Sequence, residues 1–326
     1  MVNQLSPVVL ERLALIVCTR DRTTSLIDLL NSIASCGEAP KVVVIVDSNS
    51  TDVTAHAISQ RGSAGLIAIQ YLRSEPGLPY QRNLGIAAII ESPKFRSCEV
   101  IAFLDDDVEV SEAYFSNLLN LFDEYPKAIG IGGIDLDSPK LANESLWLRA
   151  ALVSSHKFGA VLSSGCTTPP DPSARIVRTD WFPGFAMAFR RTVFENHFFN
   201  DHIAFYGEDL EFQLRIRSFG DFIVSNRLFV RHKNDPTSRD SIRDKWSYSD
   251  GFRWALSRRA DNRVSSIAVL YSTLCLLAFE CVRYLLTRRH ESKLAFMGHV
   301  DFLSRLIRGK EVQKLRPNII EKRSFL

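Results

Sequence analysis

Through the first 137 residues, short runs of Val, Ile and Leu alternate with stretches whose apolar residues recur every three to four positions. Strands covered on both faces by intervening helices produce that alternation. It predicts strands at 13–18, 41–46, 66–72, 100–104 and 128–134. Between the first two, Leu26, Leu29, Leu30 and Ile33 fall at i, i+3, i+4 and i+7 ahead of Gly37, a helix with a glycine stop. Ser50-Thr51-Asp52 opens a second helix that Gly62 closes, and Arg82 stands at the start of a third. Ser111 can cap a fourth, whose Tyr114, Phe115, Leu118 and Phe122 face one way before Pro126. This half therefore reads as a nucleotide-type α/β fold.

The pattern then changes. Residues 138–179 carry several prolines and glycines and read as irregular apart from a helix near 146–153, a substrate-facing insertion. A strand at 184–190, a helix at 209–219 stopped by Gly220, and strands at 222–225 and 228–232 follow. Residues 264–279 hold no charge for 16 residues, short of the ~20 that comfortably span a bilayer. Flanked by Arg258, Arg259, Arg263, Arg288 and Arg289, they read as an amphipathic or interfacial helix, with a buried core helix as the alternative.

A length of 326 residues with 46% hydrophobic and 24% charged positions fits one catalytic domain, 1–250, followed by a helical, basic, membrane-associated segment, 251–326. The net charge of +3 hides an asymmetry: from Arg253 onward 15 Lys/Arg stand against 6 Asp/Glu, so the part before is acidic. Without interleaved aromatics or a known motif, that basic tail does not indicate nucleic acid; it points to a membrane surface, with a solvated basic helical face as the alternative. Six cysteines without a CxxC pair read as reduced thiols, and the N-terminal residues show no secretory signal, which points to the cytoplasm.

Chemistry concentrates at strand ends, where open parallel sheets bind ligands. Val100-Ile-Ala-Phe-Leu runs straight into Asp105-Asp106-Asp107. Three adjacent acids repel one another, so at a buried strand end they imply a cation, and carboxylates suit Mg²⁺ or Mn²⁺ shared with phosphates. The bland alternative is an acidic loop. Thr19-Arg20-Asp21-Arg22 ends the first strand and Asp47 the second, although helix caps after strands look much the same. Gly207-Glu208-Asp209 puts two acids in a helix's first turn, which the helix dipole favours regardless of function. Arg82 is placed to meet a phosphate or to be a surface cation, and His232 follows an apolar strand where a structural histidine is common.

The order VCTRDR, VVVIVDSNSTD, GLPYQRNLG, IAFLDDDVEV, WFPGFAMAFRR, GEDLEFQLRIRSFG and LFVRHK resembles the family-two glycosyltransferases with the GT-A fold, over about residues 13–233. The resemblance implies a Rossmann-like, mainly parallel central sheet with helices on both faces. It implies a nucleoside-diphosphate sugar donor, a divalent Mn²⁺ or Mg²⁺, and inverting transfer to a glycan or lipid-linked glycan at the inner face of the membrane. Thr19, Arg20, Asp21 and Asp47 would hold the nucleotide, Asp105 or Asp106 would face the nucleoside, and Asp107, with Asp105 and His232, the metal. Asp209 matches the family's general base, beside Glu208 as support. Trp181, Phe182 and Phe185, next to Pro183-Gly184, suit the apolar face of a sugar, with ordinary core packing as the alternative. A sugar-nucleotide pyrophosphorylase would want a glycine-rich loop after the first strand, and a dinucleotide oxidoreductase GxGxxG; residues 18–22 contain no glycine. A catalytically inactive binding module is the remaining alternative, against which the intact acids argue.

Overall fold

The computed structural model describes residues 7–49, 51–62, 67–137, 146–171, 173, 175–203, 206–233, 241–258 and 263–310. Ser50, Leu66, Arg259 and the basic residues past 310 lie outside them. In chain order the elements are β1 (Val8–Thr19), α1 (Thr23–Ser35), β2 (Glu38–Asp47), α2 (Val53–Gly62), β3 (Ile69–Arg73), α3 (Leu78–Glu91), β4 (Val100–Asp105), β5 (Val108–Val110) and α4 (Tyr114–Glu124). Then come β6 (Ala128–Asp135), α5 (Leu146–Ala150), β7 (Val177–Thr179), β8 (Ala186–Arg190), α6 (Glu208–Ile216), β9 (Asp221–His232), α7 (Ile242–Ser257), α8 (Ser266–Thr287) and α9 (His290–Ile307).

One sheet runs in the order β3-β2-β1-β4-β8-β6-β9-β5, with β7 also on β9. Strands β3, β2, β1 and β4 are mutually parallel, as the Val/Ile runs and intervening helices require. Strand β8 enters antiparallel between β4 and β6, and β6 pairs with β9 in parallel. Alternate residues of β1 feed different layers: Leu13, Leu15 and Val17 join a core with α1 and α4, while Ala14 and Ile16 join one with α3 and α6.

Three expectations need adjustment. Ser111 does not cap α4 with its side chain; the helix begins after Ala113, and Tyr114 N–H donates to the Ser111 carbonyl at 3.2 Å. The strands expected at 222–225 and 228–232 are one strand, β9. Finally, α7 runs straight through the boundary expected at 250/251, and Phe252, Leu256, Val264 and Val269 share a core with Ile203, Leu210 and Leu214. Helix α8 is long and apolar enough to cross a membrane by length and composition, with 28% of that window buried. Its Ile267, Tyr271, Leu274, Val282 and Leu285 are exposed, whereas Val269, Ser272, Thr273 and Leu276 are buried.

Candidate active site

The parallel register sets the site. Thr19 pairs with Asp47, Asp47 with Arg73, and Cys18 with Asp105, so four strands end level and present their polar residues along one edge. After Asp105 the chain turns into β5, whose Val108 pairs with His232 at the end of β9. That short antiparallel pairing brings Asp107 to His232: Lys233 N–H donates to the Asp107 carbonyl at 2.9 Å, and His232 Nε2 lies 3.0 Å from Asp107 Oδ1. One ligand atom each from Asp105, Asp107 and His232 falls within 4.8 Å of the others. Burial alone would lower the His232 pKa, but the hydrogen bond to Asp107 and the charges of Asp105, Asp107 and Asp135 raise it.

Asp106 points elsewhere. It accepts from Thr19 Oγ1 at 2.7 Å and from Arg22 Nη1 at 3.2 Å, and Arg22 also stands 3.6 Å from Asp107. Burial pushes the Asp106 carboxyl up to about 7, against the lowering effect of Thr19 and Arg22. Its position is that of a tie between the ends of β1 and β4. Asp47 is likewise fully buried, accepting from Asn49 N–H at 2.8 Å and Tyr71 Oη at 2.7 Å. Above it a cleft of about 560 Å³ is lined by Arg20, Asp21, Ser48, Asn49, Arg73 and Tyr80.

A second cavity, of about 600 Å³, joins Asp105 and His232 to Glu208 and Asp209. The latter two open α6 after Gly207, whose φ of 96° is one that residues with a side chain rarely adopt. Asp209 Oδ1 accepts from Leu210 N–H at 2.8 Å and its side chain also bonds the Gly184 backbone. A Cβ on Gly184 would meet Asp209 Oδ2 at 3.0 Å, so glycine is what lets the β8 approach pass this closely. Burial first, and the Glu208 charge second, push Asp209 up to about 7. Its place in the first turn of α6, which the helix dipole favours for an acid, does not outweigh these two effects.

Arg82 is not a surface cation but lines this cavity. It is 3% exposed, donates to Glu208 Oε1 at 2.8 Å, stands 3.8 Å from Asp105 and lies over the Phe199 ring at 5.2 Å. Glu208 is thus the partner that keeps Arg82 at the cavity floor. Of the three aromatics expected to face a sugar, Trp181 and Phe185 line the cavity, and Phe185 lies 5.0 Å from the His232 ring. Phe182 does not: it is fully buried among Phe189 and Phe222, because it alternates with its neighbours across the chain.

Sequence reasoning missed four contributors. Arg22 was visible in the first motif but not its reach to Asp106 and Asp107. Tyr71, on β3, supports Asp47, and Trp246 and Arg253 of α7 line the cavity from the far side. Arg253, counted with the basic tail, is 3% exposed. No local signal marks the last three, since each depends on pairing between distant segments.

The family described as Glycosyl transferase family 2 matches residues 14–198. No curated protein matches the chain. Among solved structures, the mannosyltransferase PcManGT from Pyrobaculum calidifontis, in complex with GDP-Man and Mn²⁺, has a TM-score of 0.54 at 14% identity, covering 91% of this chain and 86% of that one. S. aureus TarS 1-349 in complex with UDP-GlcNAc has a TM-score of 0.46 at 13% identity, covering 92% of each chain.

Proposed function

The chain belongs to glycosyl transferase family 2 and is a glycosyltransferase, and on that premise we propose that it moves a sugar from a nucleoside-diphosphate sugar to a hydroxyl acceptor, metal-assisted and with inversion. The observation that carries the reading is the meeting of Asp209 with Asp105 and His232 around one cavity at the carboxyl ends of the strands. The Pyrobaculum protein, of like fold, binds GDP-Man with Mn²⁺, which supports a nucleotide-sugar donor here.

Asp105, Asp107 and His232 would hold the cation. Two carboxylates and an imidazole fit Mn²⁺ somewhat better than Mg²⁺, which favours oxygen alone, and the crowding of acids fits a positive charge among them. A bound divalent ion supplies charge that offsets the departing diphosphate. Thr19, Arg20, Asp21 and Asp47 border or underlie the cleft we assign to the nucleoside, and Asp106 and Arg22 brace it. In the cavity Asp209, once ionised, takes the proton of the acceptor hydroxyl while that oxygen bonds the anomeric carbon. The bond from that carbon to the phosphate oxygen breaks, and its electron pair leaves with the nucleoside diphosphate. Attack from the face opposite the leaving group inverts the centre. Glu208 and Arg82 position Asp209 without touching the reacting atoms.

For the acceptor we propose a glycan or lipid-linked glycan, met at the inner face of the membrane. The exposed apolar residues of α8, between Arg263 and the Arg288-Arg289 pair, support peripheral attachment. The direct test is a panel of nucleotide sugars assayed for transfer or hydrolysis with Mn²⁺ and with chelator. Turnover by the native chain and its loss by roughly 10²–10⁴-fold in Asp209→Asn, with donor binding retained, is expected. Full activity of Asp209→Asn would refute the assigned base.

A further inference from the structure

The C-terminal helices form part of the cavity that holds Asp209. On α7, Trp246, Ser249 and Arg253 follow i, i+3, i+7 and so share one stripe, and all three line the cavity; Leu276 of α8 adds to the same wall. Trp246 is half-buried.

A buried polar chain fixes this wall. The Arg253 guanidinium donates to Asp250, to the Ser164 carbonyl at 3.3 Å, to Cys166 Sγ at 3.2 Å, to Ser272 Oγ at 2.8 Å and to Thr273 Oγ1 at 3.2 Å. The other oxygen of Asp250 lies 2.6 Å from His299 Nδ1. Asp250 and His299 are both fully buried. The hydrogen bond between His299 Nδ1 and Asp250 fixes the ring's orientation. That ring sits 5.0 Å from the Trp246 indole, tilted 49° to it. Close approach of α9 depends on Gly298, where a Cβ would meet the Arg243 carbonyl at 2.5 Å and Trp246 Cβ at 2.8 Å. Three helices and the 164–166 loop therefore converge on the orientation of one tryptophan.

We propose that this wall is the acceptor subsite: Trp246 receives the apolar face of a pyranose ring whose hydroxyl is directed toward Asp209, and Asp250 and His299 are positioning residues that hold the indole in place. The assignment rests on the transferase reading and adds to it the residues that choose the acceptor. Aromatic rings suit the C–H face of a sugar, and Trp181 and Tyr206 line the same cavity. The hydrogen bonds of this polar chain run within α7, α8, α9 and the 164–166 loop, and the nucleoside cleft is lined by other residues, so acceptor and nucleotide recognition are separable.

The test is calorimetric titration of the full chain, saturated with Mn²⁺ and UDP or GDP, with octyl glucopyranoside and octyl galactopyranoside below their micellar concentrations. Saturable binding is expected, weakened about tenfold in Trp246→Ala, the upper range for one aromatic contact, and largely restored in Trp246→Phe. His299→Gln should weaken it in the same direction, with thermal melts verifying the fold. Nucleotide affinity, measured in the same series, should not change with Trp246 or His299, and its dependence on Mn²⁺ reports separately on the transferase reading. Absence of saturable pyranoside binding by the native chain, wild-type binding by Trp246→Ala, or an equal loss of nucleotide affinity overturns the subsite.

Discussion

Lowering the pH is the perturbation that the site's electrostatics make most informative. Asp209 is pushed up to about 7 by burial and by Glu208. As an acid that must be ionised to act as base, it is competent above its midpoint and lost below it. A group with a midpoint near 7 is ~90% ionised at pH 8 and ~1% at pH 5, so turnover should fall about 100-fold between them with unit slope. A carboxylate at its ordinary value of 3.8 would stay largely ionised and give less than about a twofold fall over that range. The assay is initial rate of transfer at saturating donor from pH 5 to 8.5. Protonation of His232 would also weaken activity on the acid side, but it competes with the metal, so its limb moves to lower pH as Mn²⁺ is raised. The Asp209 limb should not move with Mn²⁺, and should move to lower pH in Glu208→Gln, which removes the second cause of the shift. A flat profile over this range, or a midpoint indifferent to Glu208, refutes the reasoning.

Asp209→Asn should raise the melting temperature at pH 8 and raise it by a smaller amount at pH 5. A carboxyl whose folded pKa is raised contributes stability in full only below its ordinary value of 3.8, and loses it progressively as pH rises from there through about 7, so removing the charge helps most above pH 7; calorimetry at the two pH values decides. Asp107→Ala should abolish Mn²⁺-dependent turnover, and excess chelator should do the same to the native chain; full activity in chelator contradicts the metal assignment. For the membrane, Leu274→Glu with Val282→Glu should release the protein from anionic liposomes in flotation without altering its melting temperature, because both side chains are exposed. Deleting residues 253–326 is a poor version of that test, as it cuts α7 and removes the buried Arg253.

The parallel half of the fold is legible because β1, β2 and β4 each carry a continuous apolar run that periodicity detects. What escapes is short or non-local. Strand β5 has three residues, too few to show a period, yet it sets Asp107 against His232. Strand β9 looks interrupted by Asn226 and Arg227, but β6 follows it through a shifted register between Gly132 and Ile134. The insertion of β8 between β4 and β6 joins segments dozens of residues apart, and no local pattern encodes the order.

The charged residues divide on the same principle. Three adjacent acids after an apolar run announce a site, but their separate directions depend on what each meets: Thr19 and Arg22 draw Asp106 back, while β9 delivers His232 to Asp107. Counting charge along the chain assigns Arg253 to a solvated basic tail, whereas in three dimensions its partners come from α7, α8 and the 164–166 loop. Arg82 follows the same logic. Helix α3 is buried on nearly every side, so an arginine on it must carry its partner with it, and Glu208 from α6 is that partner. The pairing sets one buried arginine, Arg82, beside the three carboxylates Asp105, Glu208 and Asp209. Burial and that unequal balance raise Asp209, and a base poised near neutrality transfers a proton more effectively than an ordinary carboxylate. The same arginine that secures α3 to α6 thus limits how far the site's acids are neutralised, which ties the packing of two helices to the protonation state of the base.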